Sequence, residues 1–243
     1  MINSGSLKRI KSLGTILSVW AHPDDETFTS AGIMHVAVGN RQEVICVTAT
    51  KGEAGLQDPD KWPAKELGKI RAKELKAALE VLGVEKHFWL GFKDGCCEKK
   101  DSKGIAKLAD LIEKYQPDTI LTFGRDGMTG HIDHCSVSGW VDEAVGMSGR
   151  TPQIYHAVHT AEQYQSHIMY MDEELNIFFN IDEPVVLPEE DCDLLLELDD
   201  NLKSIKLQAL AQMPSQTWTM FNKFDEKFIG EALAHEAFIL AHK

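Results

Sequence analysis

Short apolar runs alternate with helix-sized segments between residues 15 and 157 of the 243-residue chain. The runs are rich in β-branched residues, and the segments between them carry helical spacing and end signals. We predict strands over residues 15–21, 43–48, 87–90, 119–123 and 153–157. We predict helices over residues 27–39, 64–82 (with Gly83 as the stop), 103–115 and 132–145. This alternation predicts an α/β fold, a three-layer sandwich whose mostly parallel sheet has helices on both faces.

The pattern changes after about residue 160. We predict strands over residues 168–171 and 177–181, an acidic solvated stretch over residues 189–200, and closing helices over residues 199–212 and 225–242. No Gly/Ser-rich linker or internal repeat separates this part from the rest. We therefore predict a single domain over residues 1–243, in which residues 1–13 are flexible and residues 160–243 form a C-terminal α+β extension.

Composition narrows the classes of function. A net charge of −13 argues against binding to nucleic acid or to an anionic membrane, because phosphate contacts need a basic surface. The N-terminal residues lack the apolar core of a secretory signal, and no later segment is apolar enough for membrane insertion. The five cysteines lack Cys-x-x-Cys spacing and are expected to be reduced. We expect a cytoplasmic protein.

Two polar clusters carry the candidate chemistry. His22-Pro23-Asp24-Asp25-Glu26 ends the first predicted strand, and Gly130-His131-Ile132-Asp133-His134 follows the fourth about a hundred residues later. Because ligands of open α/β sheets bind beyond the carboxyl ends of strands, the clusters are expected to share one crevice. Imidazole nitrogens and carboxylate oxygens suit zinc, and three protein ligands leave a position for water or substrate.

Neighbouring residues in these clusters are expected to have different tasks. The side chains of Asp24 and Asp25 diverge, so one can bind a metal while the other faces the attacking water. His131 and His134 lie three residues apart at the start of a predicted helix and can both point into the crevice. Asp133 can orient an imidazole by accepting its ring proton.

Segments 21–26 and 126–134 together resemble the LmbE-like, or PIG-L, family of zinc-dependent N-deacetylases. Segments 50–55, 71–82 and 90–95 are similar to further family segments in the same order. The resemblance is strong over about residues 15–145. It implies a Rossmann-like fold and hydrolysis of an N-acetyl group from a glucosamine-containing or related small molecule, which releases acetate and a free amine.

The resemblance also implies roles for individual residues. One zinc ion per chain would be held by His22, Asp25 and His134. The catalytic residues would be Asp24 as general base and His131, with Asp133 behind it, to stabilise or protonate the reacting group. The substrate, an N-acetylated amino sugar or conjugate, would contact Arg71, Asp94 and Glu53. A homo-oligomer, either a trimer or a hexamer, would also be consistent with the family.

Three positions depart from the family pattern. Arg125 stands where proline is frequent, Thr129 where some members have a tyrosine, and Met213 where a histidine is usual. Their roles stay open, as do two other functions. Clustered carboxylates and histidines also build two-metal phosphoesterase sites with metals about 4 Å apart, and the same fold could serve a non-catalytic carbohydrate-binding relative.

Overall fold

The computed structural model describes residues 4–241. The strands are β1 (Ile16–Trp20), β2 (Val44–Thr50), β3 (Lys86–Phe92), β4 (Thr119–Phe123), β5 (Gln153–Thr160), β6 (Val186–Leu187), β7 (Leu194–Glu197) and β8 (His235–Leu240). The α-helices are α1 (Ser4–Lys11), α2 (Asp25–Gly39), α3 (Leu67–Leu82), α4 (Ser102–Tyr115), α5 (Ile132–Ser148), α6 (Ala161–Gln163), α7 (Met169–Leu175), α8 (Asp200–Leu210), α9 (Pro214–Lys223) and α10 (Glu226–Ala232). Short 3₁₀ turns cover Ala64–Glu66 and Glu189–Asp191, and a π-helical turn covers Tyr164–Ile168.

One mixed sheet forms the centre of the described chain. Its strand order is β3-β2-β1-β4-β5-β8-β7, and β6 pairs with β5 beside this path. Strands β1 to β5 are mutually parallel, whereas β8 runs antiparallel to both β5 and β7. The chain moves outward from β1 to β3 and then returns to place β4 on the other side of β1. The carboxyl ends of β1 and β4 therefore border the crevice where the topology reverses, which is the usual ligand position in such sheets.

Helices cover both faces of this sheet, so the α/β three-layer prediction is confirmed. Helix α2 packs against α3 and α8, and α4 packs against α5. Every residue of β1, β2 and β4 is buried, which explains why these strands are mostly apolar and show no alternation of apolar and polar residues. Helix α3 ends where predicted, because Gly83 adopts the left-handed conformation (φ 79°) that glycine accepts without strain.

The predictions for the C-terminal extension were partly wrong. Residues 168–171 lie in the helical segment that includes α7, and residues 177–181 form no strand. Ile168 and Met171 are buried while Met169 and Tyr170 are exposed, which is a helical spacing that a four-residue apolar run conceals. The acidic stretch contains strand β7, whose Leu194 and Leu196 are buried.

The final predicted helix, residues 225–242, is also wrong. Its first part forms α10, but residues 235–240 form β8, which enters the sheet between β5 and β7. Pairing with two distant strands, rather than local helix propensity, decides the conformation here. Helix α9, which starts with Pro214 in its first turn, was not predicted.

The N-terminal segment contains a helix. Residues 1–13 were predicted to be flexible, but residues 4–11 form α1, and Ile10 and Leu13 are buried in the core. Residues 1–3 lie outside the described part.

Among residues 4–241, no helix combines the length and the apolar character that crossing a bilayer requires.

Strand β8 carries a buried ion pair into the core. The Glu236 carboxylate lies 3.0 Å from Nζ of Lys206, and both side chains are almost completely buried. The same carboxylate accepts hydrogen bonds of 2.8 Å from the backbone N–H groups of Gly32 and Ile33 in α2. Helix α2 departs from helical geometry at Ser30 (φ −142°), so Glu236 supplies acceptors next to a break in the helix. This carboxylate therefore ties α2, α8 and β8 together.

We expect Glu236→Ala to lower the free energy of unfolding by about 3–5 kcal/mol, because it leaves the Lys206 charge buried without a partner. Urea unfolding measures this change. Glu231→Ala is the matched control, because Glu231 pairs with Lys203 in a partly exposed ion pair, and such pairs contribute about 1 kcal/mol or less. Equal destabilisation by the two substitutions would contradict the role assigned to Glu236.

Candidate metal centre and active site

The two polar clusters predicted from the sequence meet at the carboxyl ends of β1 and β4. His22 lies two residues after β1, and Asp25 begins α2. The loop from Gly124 to His131 connects β4 to α5, whose first turn contains Asp133 and His134. Phe123, the last residue of β4, stacks on the His134 ring with a centroid distance of 4.1 Å. The imidazole is therefore held in a fixed orientation against the core.

Three candidate ligand side chains converge on one point. Nδ1 of His22 lies 3.1 Å from Nε2 of His134. The Asp25 carboxylate lies 3.6 Å from the first nitrogen and 3.4 Å from the second. For zinc-to-ligand distances of about 2.0–2.2 Å, the corners of a coordination tetrahedron are about 3.3–3.6 Å apart. The two distances to Asp25 lie within this range and the distance between the two imidazoles lies just below it, so the three side chains approximate a tetrahedral zinc site with one open position.

Hydrogen bonds to the outer ring atoms indicate which nitrogens are free to bind a cation. Nε2 of His22 lies 3.0 Å from Asp94 and 3.2 Å from Asp133, so it donates its proton to these carboxylates. Nδ1 of His134 donates to the Gly127 carbonyl at 2.9 Å. When both imidazoles are neutral, their inner nitrogens point lone pairs at each other and toward Asp25. Such a cluster of acceptors needs a proton or a cation at its centre.

The pKa values of the two imidazoles move in opposite directions. Burial alone would lower the pKa of His22, but hydrogen bonds to Asp133 and Asp94, together with the charges of Asp25 and Asp94, raise it to about 10. Burial lowers the pKa of His134 to about 4, although the Asp25 charge opposes it. The carboxylates around His22 therefore favour a positive charge between the two imidazoles. Two ring nitrogens and one carboxylate are also a donor set that suits Zn²⁺.

Asp24 occupies a strained backbone position beside the metal centre. Its φ of 107° is a conformation that residues other than glycine rarely adopt, at a cost of about 1–3 kcal/mol. The buried Arg71 guanidinium holds it there by donating to the Pro23 carbonyl at 2.7 Å and to the Asp24 carboxylate at 3.2 Å. Burial raises the pKa of Asp24 to about 7, against the opposing charge of Arg71. A carboxyl group with this pKa can exchange a proton near neutral pH.

One prediction within the second cluster needs correction. Asp133 was expected behind His131, but its carboxylate contacts His22 instead and also accepts from the backbone N–H groups of Gly95 and Cys97. His131 is the N-cap of α5, and its Nδ1 accepts from the backbone N–H of Asp133 at 3.2 Å. Asp133 lies in the first turn of α5, and from there its side chain points toward His22 at the end of β1.

The three predicted substrate contacts lie around the site rather than on the cavity wall. Arg71 donates to the carbonyls of Pro23 and Gly52, in addition to its bond with Asp24. Asp94 supports His22 and accepts from the Ala54 N–H at 2.8 Å, and Glu53 accepts from the Asp94 N–H at 3.2 Å. These contacts hold the loops after β1, β2 and β3 together. Direct contact of Arg71, Asp94 and Glu53 with substrate stays a prediction.

The departures from the family pattern have separate surroundings. Arg125 is exposed and pairs with Asp142 of α5 at 3.1 Å. The Thr129 hydroxyl lies 3.4 Å from Nδ1 of His134. Met213 is buried just before α9, and its thioether side chain has no strong hydrogen-bonding group. After it, Gln216 donates to the Gly55 carbonyl at 3.0 Å, which links α9 to the loop after β2.

A cavity of about 600 Å³ opens beside the candidate metal centre. Asp24, Asp25 and His134 line one part of it, and most of the remaining wall comes from residues 158–179 and 216–237. Sequence reasoning missed these residues, including His159 and Gln163, because no local motif marks them. Only the packing of the C-terminal extension against the sheet brings them to the site.

We expect Asp94→Asn to weaken zinc binding about 10- to 100-fold, because it removes a charged partner from Nε2 of His22. Competition with a chromogenic chelator measures the affinity without any substrate. Asp101→Asn is the matched control, because Asp101 caps α4 and asparagine caps a helix equally well. Unchanged zinc affinity in Asp94→Asn would show that this hydrogen bond does not affect how strongly His22 binds zinc.

The chain is similar to a described protein family, to curated proteins and to solved structures. The family described as PIG-L: GlcNAc-PI de-N-acetylase matches residues 17–145. A 1D-myo-inositol 2-acetamido-2-deoxy-alpha-D-glucopyranoside deacetylase of Corynebacterium diphtheriae is 27% identical over 225 residues, covering 83% of this chain and 76% of the relative. A mycothiol S-conjugate amidase of Streptomyces coelicolor is 32% identical over 139 residues, 49% of this chain and 47% of that protein.

Solved structures show the same fold. The N,N'-diacetylchitobiose deacetylase of Pyrococcus horikoshii superposes with a TM-score of 0.64 at 24% identity, covering 95% of this chain and 85% of that one. A teicoplanin deacetylase, solved in a zinc-inhibited form, superposes with a TM-score of 0.60 at 17% identity and covers 89% and 90% of the two chains. At these identities the likeness concerns the fold alone.

Proposed function

Because the chain belongs to the PIG-L family, we propose that it is a zinc-dependent hydrolase that removes an N-acetyl group from a glucosamine-containing or related small molecule. The products are acetate and a free amine. The observation that carries this proposal is the convergence of His22, Asp25 and His134 beside Asp24 at the end of a cavity. The names of the relatives, which describe deacetylases of acetylated amino sugar conjugates, support the substrate class.

Zinc would be held by Nδ1 of His22, Nε2 of His134 and the Asp25 carboxylate. When bound, the ion supplies Lewis acidity toward water and toward the acetyl carbonyl oxygen. Asp94 and Asp133 keep His22 in the tautomer that leaves Nδ1 unprotonated. The Gly127 carbonyl does the same for Nε2 of His134. Both imidazoles are thus prepared as ligands by fixed hydrogen-bond partners.

Asp24 is the general base in this proposal. It lines the cavity next to Asp25, so its carboxylate can accept the proton of the attacking water. Arg71 keeps the carboxylate and its strained backbone in place. A base with a pKa near 7 accepts a proton in the first step and returns it to the departing nitrogen in the second.

His131 is the electrophilic partner in the same scheme. Its Nδ1 accepts from the Asp133 N–H, so the neutral ring carries its proton on Nε2. Burial lowers the pKa of His131, which favours the neutral ring. A neutral imidazole N–H can hydrogen-bond to the oxygen that gains negative charge during attack on the amide.

The test is a metal assay followed by an amine-release screen over N-acetylated amino sugars and their conjugates. The proposal predicts about one equivalent of zinc per chain and equal amounts of acetate and free amine. Two metal equivalents with hydrolysis of phosphate esters would instead indicate phosphoryl chemistry. Zinc-loaded protein that binds acetylated sugars without releasing acetate would indicate a non-catalytic relative. Sedimentation velocity tests the trimer or hexamer that we propose from the family resemblance.

A further inference from the structure

Glu26 follows the proposed general base by two residues, and its side chain is fully buried. One carboxylate oxygen accepts from the Thr27 hydroxyl at 2.6 Å, and the other accepts from the backbone N–H of Asp24 at 3.2 Å. Neither of these partners carries a charge. Burying a carboxyl group among neutral partners is costly, because water solvates its charge far better. A glutamate in this position therefore needs a structural or catalytic explanation.

The peptide group between Pro23 and Asp24 is held at both of its polar ends. Its carbonyl oxygen accepts from Nη2 of Arg71 at 2.7 Å, and its N–H donates to Glu26. The peptide bond is trans, so its carbonyl and its N–H point in opposite directions. Arg71 and Glu26 therefore hold this peptide from opposite sides and fix its plane.

The next peptide group, between Asp24 and Asp25, is fixed as well. The Asp24 carbonyl accepts from the backbone N–H groups of Thr27 and Phe28, each at 2.9 Å, in the first turn of α2. Because both flanking peptide planes are fixed, the Asp24 backbone is confined to φ 107° and ψ −32°. A strained conformation of this kind persists only when its surroundings determine it from several sides.

The start of α2 also leaves the Asp24 side chain available. Asp24 is the N-cap residue, and an N-cap aspartate usually accepts a hydrogen bond from the first turn of its helix. Within the described α2, its carboxylate accepts no such bond; it contacts Arg71 and lines the cavity instead. Glu26 reverses the usual arrangement, because a side chain inside the helix accepts from the N-cap backbone, as in a capping box. The Asp24 carboxylate is thus not used to hold the helix.

We propose that Glu26 is a positioning residue, whose hydrogen bond to the Asp24 N–H holds the general base in its strained conformation and directs its carboxylate into the cavity. The inference rests on the proposed function, in which Asp24 accepts the proton of the attacking water. Without the Glu26 acceptor, the Asp24 backbone can relax toward negative φ, and its carboxylate moves away from that water. The described cavity wall does not include Glu26, so it affects the reaction through Asp24 rather than by contact with the substrate.

The first test is Glu26→Met, which keeps the length of the side chain and removes both acceptor oxygens. In the zinc-loaded protein we expect kcat for acetate release to fall about 10- to 100-fold, because a small displacement of a catalytic group has effects of this size. We expect KM and zinc affinity to change less than about threefold. Glu26→Gln is expected to restore kcat to within about threefold of wild type, because its amide oxygen can accept from Asp24 and its amide nitrogen can donate to the Thr27 hydroxyl.

Ser30→Ala is the matched control. Ser30 is equally buried in α2, and its hydroxyl donates to the backbone carbonyl of Glu26 rather than to the carboxylate. The control is expected to keep wild-type kcat. Wild-type kcat in folded Glu26→Met, or a zinc affinity that falls as far as kcat, would refute action through Asp24. If Glu26→Met does not fold, Glu26→Asp takes its place, because a carboxylate that is one methylene shorter no longer reaches the Asp24 N–H; the same loss of kcat is expected, and wild-type kcat would refute the proposal.

Hydrogen exchange of the Asp24 backbone amide, followed by NMR, measures the hydrogen bond without any substrate. In the zinc-loaded Glu26 variant we expect this amide to exchange at least about tenfold faster than in wild type. The Thr50 amide, which donates to the Ala21 carbonyl at 2.9 Å, is the internal reference and is expected to exchange at an unchanged rate. Equal exchange of the Asp24 amide in the variant and in wild type would show that Glu26 does not hold this peptide, and would overturn the proposal.

The two measurements separate this inference from the proposed function. Faster exchange of the Asp24 amide in the variant, together with no acetate release by wild-type protein from any acetylated sugar, would contradict deacetylation and leave the hold of Glu26 on Asp24 standing. Acetate release by wild-type protein with the same kcat in Glu26→Met would refute Glu26 as a positioning residue and leave deacetylation standing.

Discussion

Asp24→Asn is expected to lower kcat for acetate release by about 10³-fold or more while the protein still binds one zinc ion. The substitution keeps the size of the side chain and removes its ability to accept a proton. General base catalysis is worth about 10²- to 10⁴-fold. The amide oxygen of the introduced asparagine can still accept the hydrogen bond from Arg71, so the strained loop is expected to stay in place.

The measurement is a steady-state assay of amine release with zinc content determined on the same samples. Asp142→Asn is the matched control, because Asp142 pairs with the exposed Arg125 on the outside of α5. We expect the control to keep wild-type kcat. If Asp24→Asn released acetate at the normal rate, another group would have to be the base.

His22→Ala is expected to reduce zinc content from about one equivalent to near zero, with loss of activity as a consequence. The substitution removes one of three ligands. It also leaves the Asp94 and Asp133 carboxylates without the imidazole that separates their charges. Two remaining ligands, Asp25 and His134, do not provide the three protein ligands of an ordinary catalytic zinc site.

Elemental analysis after desalting gives the zinc content, and circular dichroism reports whether the variant folds. His87→Ala is the control, because His87 is bonded to Thr48 at 3.0 Å and does not line the cavity. It is expected to retain zinc. Full zinc occupancy in folded His22→Ala would mean that the metal binds elsewhere in the chain.

The sequence was sufficient for the parts of this molecule that depend on local signals. Strands β1 and β4 are buried throughout and mostly apolar, and the polar clusters follow them along the chain. Parallel topology then brings His22 and His134 to one crevice, a consequence that requires no knowledge of side-chain packing. The order of helices and strands from β1 to β5 followed from the same alternation.

The remaining features depend on contacts between distant segments. Strand β8 forms only because β5 and β7 pair with it, and its residues alone read as a helix. The partner of Asp133 depends on how α5 approaches β1, so His22 rather than His131 receives its support. The cavity wall formed by residues 158–179 and 216–237 likewise depends on how the C-terminal extension packs against the sheet.

In the proposed site, one divalent cation is shared by His22, Asp25 and His134. The most direct test of this site is an anomalous difference map recorded at the zinc absorption edge from crystals of the zinc-loaded protein. We expect a single peak about 2.0–2.2 Å from Nδ1 of His22, from Nε2 of His134 and from the Asp25 carboxylate. A peak bound instead by Asp94 and Asp133, or no peak between the two imidazoles, would contradict it.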